Sequence, residues 1–191
     1  VVATGYAPPR LPAPFSPALA GLPGVIADPA VSRRLRSLPK RARVLVLGSG
    51  LTALDVISTL VRSAHQAPIT VISRRGLRPR AQRPPSASGE KLTAAVLLER
   101  IEGPVPGFIA GAGTPPSARG LLRALRREIR RAEQAGDGWY APFDDLRDVL
   151  WKVWPRLPAT EKRRVLRHLR PWYDAHRFRA PPQNEAMVRD A

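Results

Sequence analysis

The sequence predicts an α/β fold in which a parallel sheet gives way to a mainly helical segment, and three observations carry that expectation. Val44-Leu45-Val46-Leu47 is an apolar run of strand length. It runs into Gly48-Ser49-Gly50-Leu51-Thr52-Ala53, after which Leu54, Ile57, Val61 and Ala64 recur at helical spacing. Ile69-Thr70-Val71-Ile72 then supplies a second apolar strand. Strand, helix and strand fall within the roughly 30 residues of a Rossmann-like unit, so the strands from Arg43 to Leu47 and from Ile69 to Ile72 are both expected to be buried.

The turn between the first strand and the helix has the spacing of a dinucleotide-binding turn, G-x-G-x-x-A. Gly48 permits the sharp exit from the strand, and Gly50, lacking a side chain, lets backbone N–H groups approach a pyrophosphate. Ala53 keeps the new helix close to the strand. The helix is expected over residues 52–64, with the phosphates at its N-terminus, where unpaired N–H groups and the helix dipole favour negative charge. Gly48, Ser49, Gly50, Leu51 and Thr52 are therefore candidate cofactor-binding residues.

The end of the second strand selects the dinucleotide. A ribose 2′-hydroxyl is held there by Asp or Glu, whereas a 2′-phosphate needs cations. The strand ends in Ser73-Arg74-Arg75-Gly76, and no carboxylate occurs between Asp55 and Glu90. That favours NADP(H) over NAD(H), because the arginine fork binds phosphate oxygens in pairs and stacks on adenine. Ser73, Arg74 and Arg75 join the candidate site.

Around this unit the organisation is uneven. Residues 6–40 are punctuated by prolines and read as a connector without a packed element. Residues 76–89 read as a loop, 90–101 as a short helix, and 103–116 as a second loop rich in Gly and Pro. Ser117 is placed to cap a helix with Leu121, Leu122, Leu125 and Ile129 on one stripe, ending near Gly136. Phe143, Leu146, Leu150, Val153 and Trp154 mark another helix, with Asp144 and Asp145 expected in its first turn. Thr160 is the expected cap of a helix over residues 161–169. The domains are drawn as 1–40, a strand remnant and proline-rich connector; 41–116, the Rossmann-like dinucleotide unit; and 117–191, a helical segment. No internal repeat occurs.

Composition bounds the function classes. The 191 residues, 43% of them hydrophobic, suffice for one domain with an appended helical piece. No run of 18 apolar residues and no secretory leader is visible, so a cytoplasmic location without membrane partners is expected. Zero cysteines exclude disulfides, thiol redox chemistry and cysteine-based metal sites. The net charge of +17 raises nucleic-acid binding as a competing class. Both halves of the chain are positive, however, and arginine far outnumbers lysine beside abundant Ala and Pro, the pattern of drift in a GC-rich genome. Most of these arginines are expected on a solvated face, without a specific nucleic-acid partner.

Val1-Val2-Ala3-Thr4-Gly5-Tyr6, followed by prolines, resembles the Ala-Thr-Gly motif of flavoproteins with two dinucleotide-binding domains. With Gly48 to Asp55, Ser73 to Gly76 and the stretch from Leu166 to Arg177, most of the chain is similar to bacterial FAD/NAD(P)-binding oxidoreductase-like proteins. The resemblance implies an NADPH-binding portion of a FAD-dependent oxidoreductase, with Thr4 and Gly5 near the flavin. One glycine turn is present where such proteins carry two, so the chain is expected to be an internal or truncated portion that holds FAD poorly and is inactive when isolated. The Ala-Thr-Gly-Tyr stretch also resembles flavin N-hydroxylating monooxygenases, which the arginine-rich C-terminus fits less well. The alternative from another class is a noncatalytic dinucleotide-binding or interaction module, a degenerate remnant or a sensor.

No catalytic acid, base or nucleophile is assigned; in this chemistry the flavin accepts hydride and the protein positions the reactants. His168 and His176 flank Pro171 and are too far apart for a metal pair one helical turn apart. Asp174, His176, Arg177 and Arg179 read as a helix-end polar cluster before they read as substrate contacts. Trp139, Trp151, Trp154 and Trp172 are expected as core or interface anchors. The substrate remains an unspecified small molecule.

Overall fold

A computed structural model describes residues 9–29, 32–83 and 93–190. In chain order the elements are a 3-10 turn (Pro17–Gly21), α1 (Ser32–Arg36), β1 (Val44–Leu47), α2 (Leu51–Arg62), β2 (Ile69–Ile72), α3 (Ala94–Glu102) and α4 (Gly107–Ala110). They continue with α5 (Ala118–Gln134), α6 (Tyr140–Val153), α7 (Ala159–Arg164), a π-helical stretch (Val165–Leu169), α8 (Arg170–Arg177) and α9 (Pro182–Asp190). The chain is thus mixed helix and strand, divided into one unit of Val1–Gly76 with Pro181–Ala191 and a second of Leu77–Ala180. This division falls after Gly76, whereas the sequence draws its boundaries after residues 40 and 116.

In the first unit β1 and β2 pair in parallel, Val44 opposite Ile69 and Leu47 opposite Ile72. They are the two strands among the described residues, joined through α2. Val56 and Leu60 of α2 form a core with Leu35 of α1, on which Ile26, Leu38, Val44, Val46 and Ile69 pack. The residues 6–40, expected as an unpacked connector, therefore supply part of this core: its prolines break the chain into short pieces, but Leu35 and Ile26 still bury apolar surface. The strands are also not buried on both faces as expected. Val44 and Val46 alternate with Leu45 and Leu47, which are 56% and 43% exposed, and Ile72 is 54% exposed. An apolar run signals burial on both faces only where helices cover both, and here the described helices cover the inner one. Asn184 of α9 donates a hydrogen bond from Nδ2 to Asp55 Oδ1 of α2 at 2.8 Å, tying the C-terminal helix to this unit.

Helix α2 ends at Arg62, before the expected Ala64, in a closed C-terminal motif. The His65 N–H donates to the Leu60 carbonyl and the Ala64 N–H to that of Val61, at 3.1 and 2.9 Å. This closure needs a left-handed residue, and Ala64 adopts φ +55°.

The second unit is helical. Ile109, Leu146, Val149 and Val153 form its core, with Val105, Phe108, Leu121, Leu125, Leu150 and Tyr173 packed around them. Ile109 comes from α4, inside the stretch expected to be a loop: four residues are too few for a helical period to show in the sequence. Ser117 caps α5 as expected, its hydroxyl accepting from the Gly120 N–H at 3.0 Å, and Glu161 Oε2 accepts from the Ala118 N–H at 2.8 Å. Two other expectations are corrected. α6 begins at Tyr140, so Asp144 and Asp145 lie beyond its first turn, where they serve as ion-pair partners. Pro158, not Thr160, precedes α7, whose first residue is Ala159. Between α7 and α8 the turn widens into π-helix because Pro171 has no N–H to give to the preceding turn. The expected loop 76–89 is described to Arg83, and there Arg80 and Gln82 exchange backbone hydrogen bonds with Ala175 and Ala180.

Two substitutions test these local readings. Ala64→Gly relieves the left-handed strain and is expected to stabilise by about 1 kcal/mol, read as a raised midpoint in urea at unchanged slope. Gly120→Ala places a methyl group onto the Ala112 carbonyl oxygen of the neighbouring backbone and is expected to cost about 1–3 kcal/mol, read in the same titration.

Candidate functional site

Parallel register sets the carboxyl ends of β1 and β2 side by side, and both candidate segments begin there. The Gly48 N–H donates to the Ile72 carbonyl at 2.8 Å, so the glycine turn starts one residue from the start of the Ser73–Arg75 segment. Gly48 has φ +106°, a backbone that L side chains rarely adopt. Gly50 differs: at φ −81° it sits at the N-cap of α2 in ordinary extended backbone. A Cβ built on Gly50 meets nothing within 4 Å. Neither strain nor packing thus accounts for glycine at position 50, and its lack of a side chain leaves α2 without a side-chain cap. Ser49 and Leu51 are half-buried and Thr52 is exposed.

Across from this turn, Ser73 Oγ accepts from the Gly76 N–H at 3.0 Å and fixes the bend that follows β2, with Gly76 at φ +63°. Arg74 and Arg75 sit on that bend, exposed, and make no hydrogen bond or ion pair among the described residues. The parallel register thus brings a helix start without a side-chain cap and a bend bearing two unpaired guanidinium groups to the same end of the sheet. Thr4 and Gly5 lie outside the described residues, as does the rest of the Ala-Thr-Gly stretch.

In the second unit the polar residues form a network that sequence reading missed. Arg179 grips Asp144 through both terminal nitrogens, at 2.9 and 3.2 Å, and lies over the rings of Trp139 and Tyr140. Arg147 bonds Asp144 and Asp148, and Arg100 reaches Asp145 at 3.0 Å and Asp148 at 3.3 Å. Burial pushes the Asp145 carboxyl above its usual range, against the pull of Arg100 and with the nearby Asp148 and Asp144 charges. His176 stacks on Phe143 at 4.5 Å and meets Trp139 edge-on at 5.1 Å, and the Arg80 guanidinium lies over the Trp139 ring at 5.6 Å. No local spacing announces the Arg179–Asp144 and Arg100–Asp145 pairs, because they join positions 35 and 45 residues apart, whereas Arg147 finds Asp144 and Asp148 within its own helix.

Other expected residues stay separate. Asp174 pairs with Arg170 at 3.4 Å, Arg177 lies over Phe178, and His168 is exposed. Of the tryptophans, Trp151 and Trp172 are more than half exposed and are not core anchors, because Trp151 falls off the buried side of α6 and Trp172 off that of α8; Trp139 and Trp154 are half-buried. Among the described residues no group of three or more His, Asp or Glu side chains is placed to hold a metal, and no helix is long and apolar enough to cross a membrane. Comparison with family profiles, curated proteins and solved structures returns no match.

The His176 environment has a consequence for stability. Burial lowers its pKa below 6.5, the Arg80 and Arg179 charges push the same way, and the hydrogen bond with the Trp172 carbonyl at 2.7 Å opposes them. As pH falls through 6.5 the unfolded imidazole takes a proton that the folded one refuses, so the unfolded state gains. Unfolding free energy is therefore expected to decline from pH 7 towards pH 5, and His176→Phe to flatten that decline, as measured by denaturant titrations across the range.

Proposed function

We propose that the turn between β1 and α2 binds the pyrophosphate of a nicotinamide dinucleotide and that Arg74 and Arg75 receive the 2′-phosphate of NADP(H). The observation that carries this reading is Gly50, a glycine at a helix N-terminus that neither backbone strain nor packing requires. Ligands of α/β sheets sit beyond the carboxyl ends of the strands, which is where Gly48–Gly50 and Ser73–Arg75 meet. In this reading the N–H groups of Leu51 and Thr52 face the phosphates, and Ser73 holds the arginine-bearing bend in shape. The bound nicotinamide supplies a hydride, and in the flavoproteins that the sequence resembles this hydride goes to a flavin. The unit is then the dinucleotide-binding portion of a Rossmann-like oxidoreductase.

A second reading, a noncatalytic dinucleotide-binding or interaction module, draws on the sheet. Among the described residues it has two strands, and Leu45, Leu47 and Ile72 are open on its outer face.

Thermal unfolding with each nucleotide tests the assignment. NADPH at about a hundred times its Kd is expected to stabilise by about 2.7 kcal/mol, with NADH giving little. Arg74→Ala with Arg75→Ala is expected to abolish the preference between the two. Gly50→Ser is the sharpest probe: its hydroxyl caps α2, so stability holds or rises slightly, while the side chain occupies the phosphate position and the response to NADPH disappears. An unchanged response in Gly50→Ser, or no response in the parent chain, overturns the assignment.

A further inference from the structure

We infer that the solvent face of α5 is a docking surface for the phosphate backbone of a double-stranded nucleic acid, read by charge and not by sequence. Arg119, Arg123, Arg126 and Arg130 follow one another at steps of one helical turn, and Arg127 flanks the row. All five are exposed, and none makes a hydrogen bond, ion pair or ring contact among the described residues. The helix carries two carboxylates: Glu133, exposed one turn beyond Arg130, is the one acid on the face of the row, whereas Glu128 lies on the other side of the helix and is bonded to Arg131, which holds it below its usual range. Like charges at these spacings repel and work against the helix, so the ridge carries a standing demand for anions.

The length and chemistry of the ridge suit duplex phosphates. From Arg119 to Arg130 the helix advances about 16 Å, at about 1.5 Å per residue. A duplex presents one negative charge per about 1.7 Å of its axis, so several phosphates lie within reach of five guanidinium groups, which bind phosphate oxygens in pairs. A membrane surface fits less well. An amphipathic helix on a bilayer must bury its apolar side in lipid, and here Leu121 and Leu125 are packed into the protein core, with Ala118, Ala124 and Ala132 buried beside them. The ridge thus offers charge without an insertable face.

The test is a salt titration of the full chain against a labelled duplex DNA of mixed sequence, read by fluorescence anisotropy. With five phosphate contacts, log K is expected to fall against log salt with a slope of about −4.5. The variant with Arg119, Arg123, Arg126, Arg127 and Arg130 all changed to Gln is expected to lose most of that slope and bind at least about tenfold more weakly at low salt. Arg123→Gln with Arg130→Gln, a milder change, is expected to remove about 2 from it and keeps the test decisive if the larger variant unfolds. A control replacing Arg10, Arg33, Arg43, Arg62 and Arg83 by Gln removes the same charge from elsewhere. Equal weakening by the control, equal binding to polyglutamate or phosphatidylserine vesicles, or no DNA binding at low salt overturns the proposal. A loss confined to the α5 variants supports it.

Discussion

Parallel pairing of β1 with β2 requires the chain to travel back along the sheet between the two strands, and α2 is the element that makes the return. The same helix must cover the sheet, so its Val56 and Leu60 carry the core against Val44, Val46 and Ile69. Because the strands run the same way in register, their carboxyl ends coincide, and the Gly48 N–H bonds the carbonyl of the last residue of β2. That the glycine turn and the Ser73–Arg75 segment start side by side is thus a consequence of strand direction. An antiparallel pair with the same residues would place the two segments at opposite ends of the sheet.

A different constraint holds the second unit together. Three carboxylates within five residues of α6, Asp144, Asp145 and Asp148, are partly or wholly withdrawn from water, and their mutual repulsion would be costly without cations. Arg100 from α3, Arg147 from α6 itself and Arg179, two residues after α8, supply those cations, each with bidentate or paired contacts. Removing Arg100 leaves Asp145 half-buried and unpaired, which is why Arg100 fixes α3 on α6 more firmly than a surface pair such as Arg131 with Glu128 fixes anything, whereas Asp144 and Asp148 each keep a second arginine when one is removed.

The elements that depend on local pattern were legible in the sequence: the two strands, α2, the Ser117 cap and the long helix after it. What the sequence could not show depends on contacts between distant positions. Burial of Leu35, in a stretch that proline makes look unstructured, follows from packing on α2. Exposure of Leu45 and Leu47 follows from which faces the described helices cover, and an apolar run reads the same in either case. Ile109 sits in a helix of four residues, shorter than any periodic signal. The glycine turn itself was legible as a motif, whereas the fact that Gly50 is free of strain and of neighbours required coordinates.

Charge completes the picture, because the same residue type plays two opposed roles in the second unit. Arg100, Arg147 and Arg179 are drawn inward by aspartates, and Glu161 is drawn away by Arg164 and the start of α5. The aspartates of α6 and Glu161 are therefore committed within the unit, and among the described residues Arg119, Arg123, Arg126, Arg127 and Arg130 of α5 make no ion pair. A net charge of +17 read from composition suggests a uniformly basic, solvated surface. Once the internal pairs are subtracted, the uncompensated charge on this unit includes an ordered row on one helix, and an ordered row has a geometry that a partner can match. Compositional drift towards arginine explains how such residues become abundant; it does not explain why four of them fall one helical turn apart on a single face of α5, with Glu133 as the one acid on that face and Glu128 bonded to Arg131 on another.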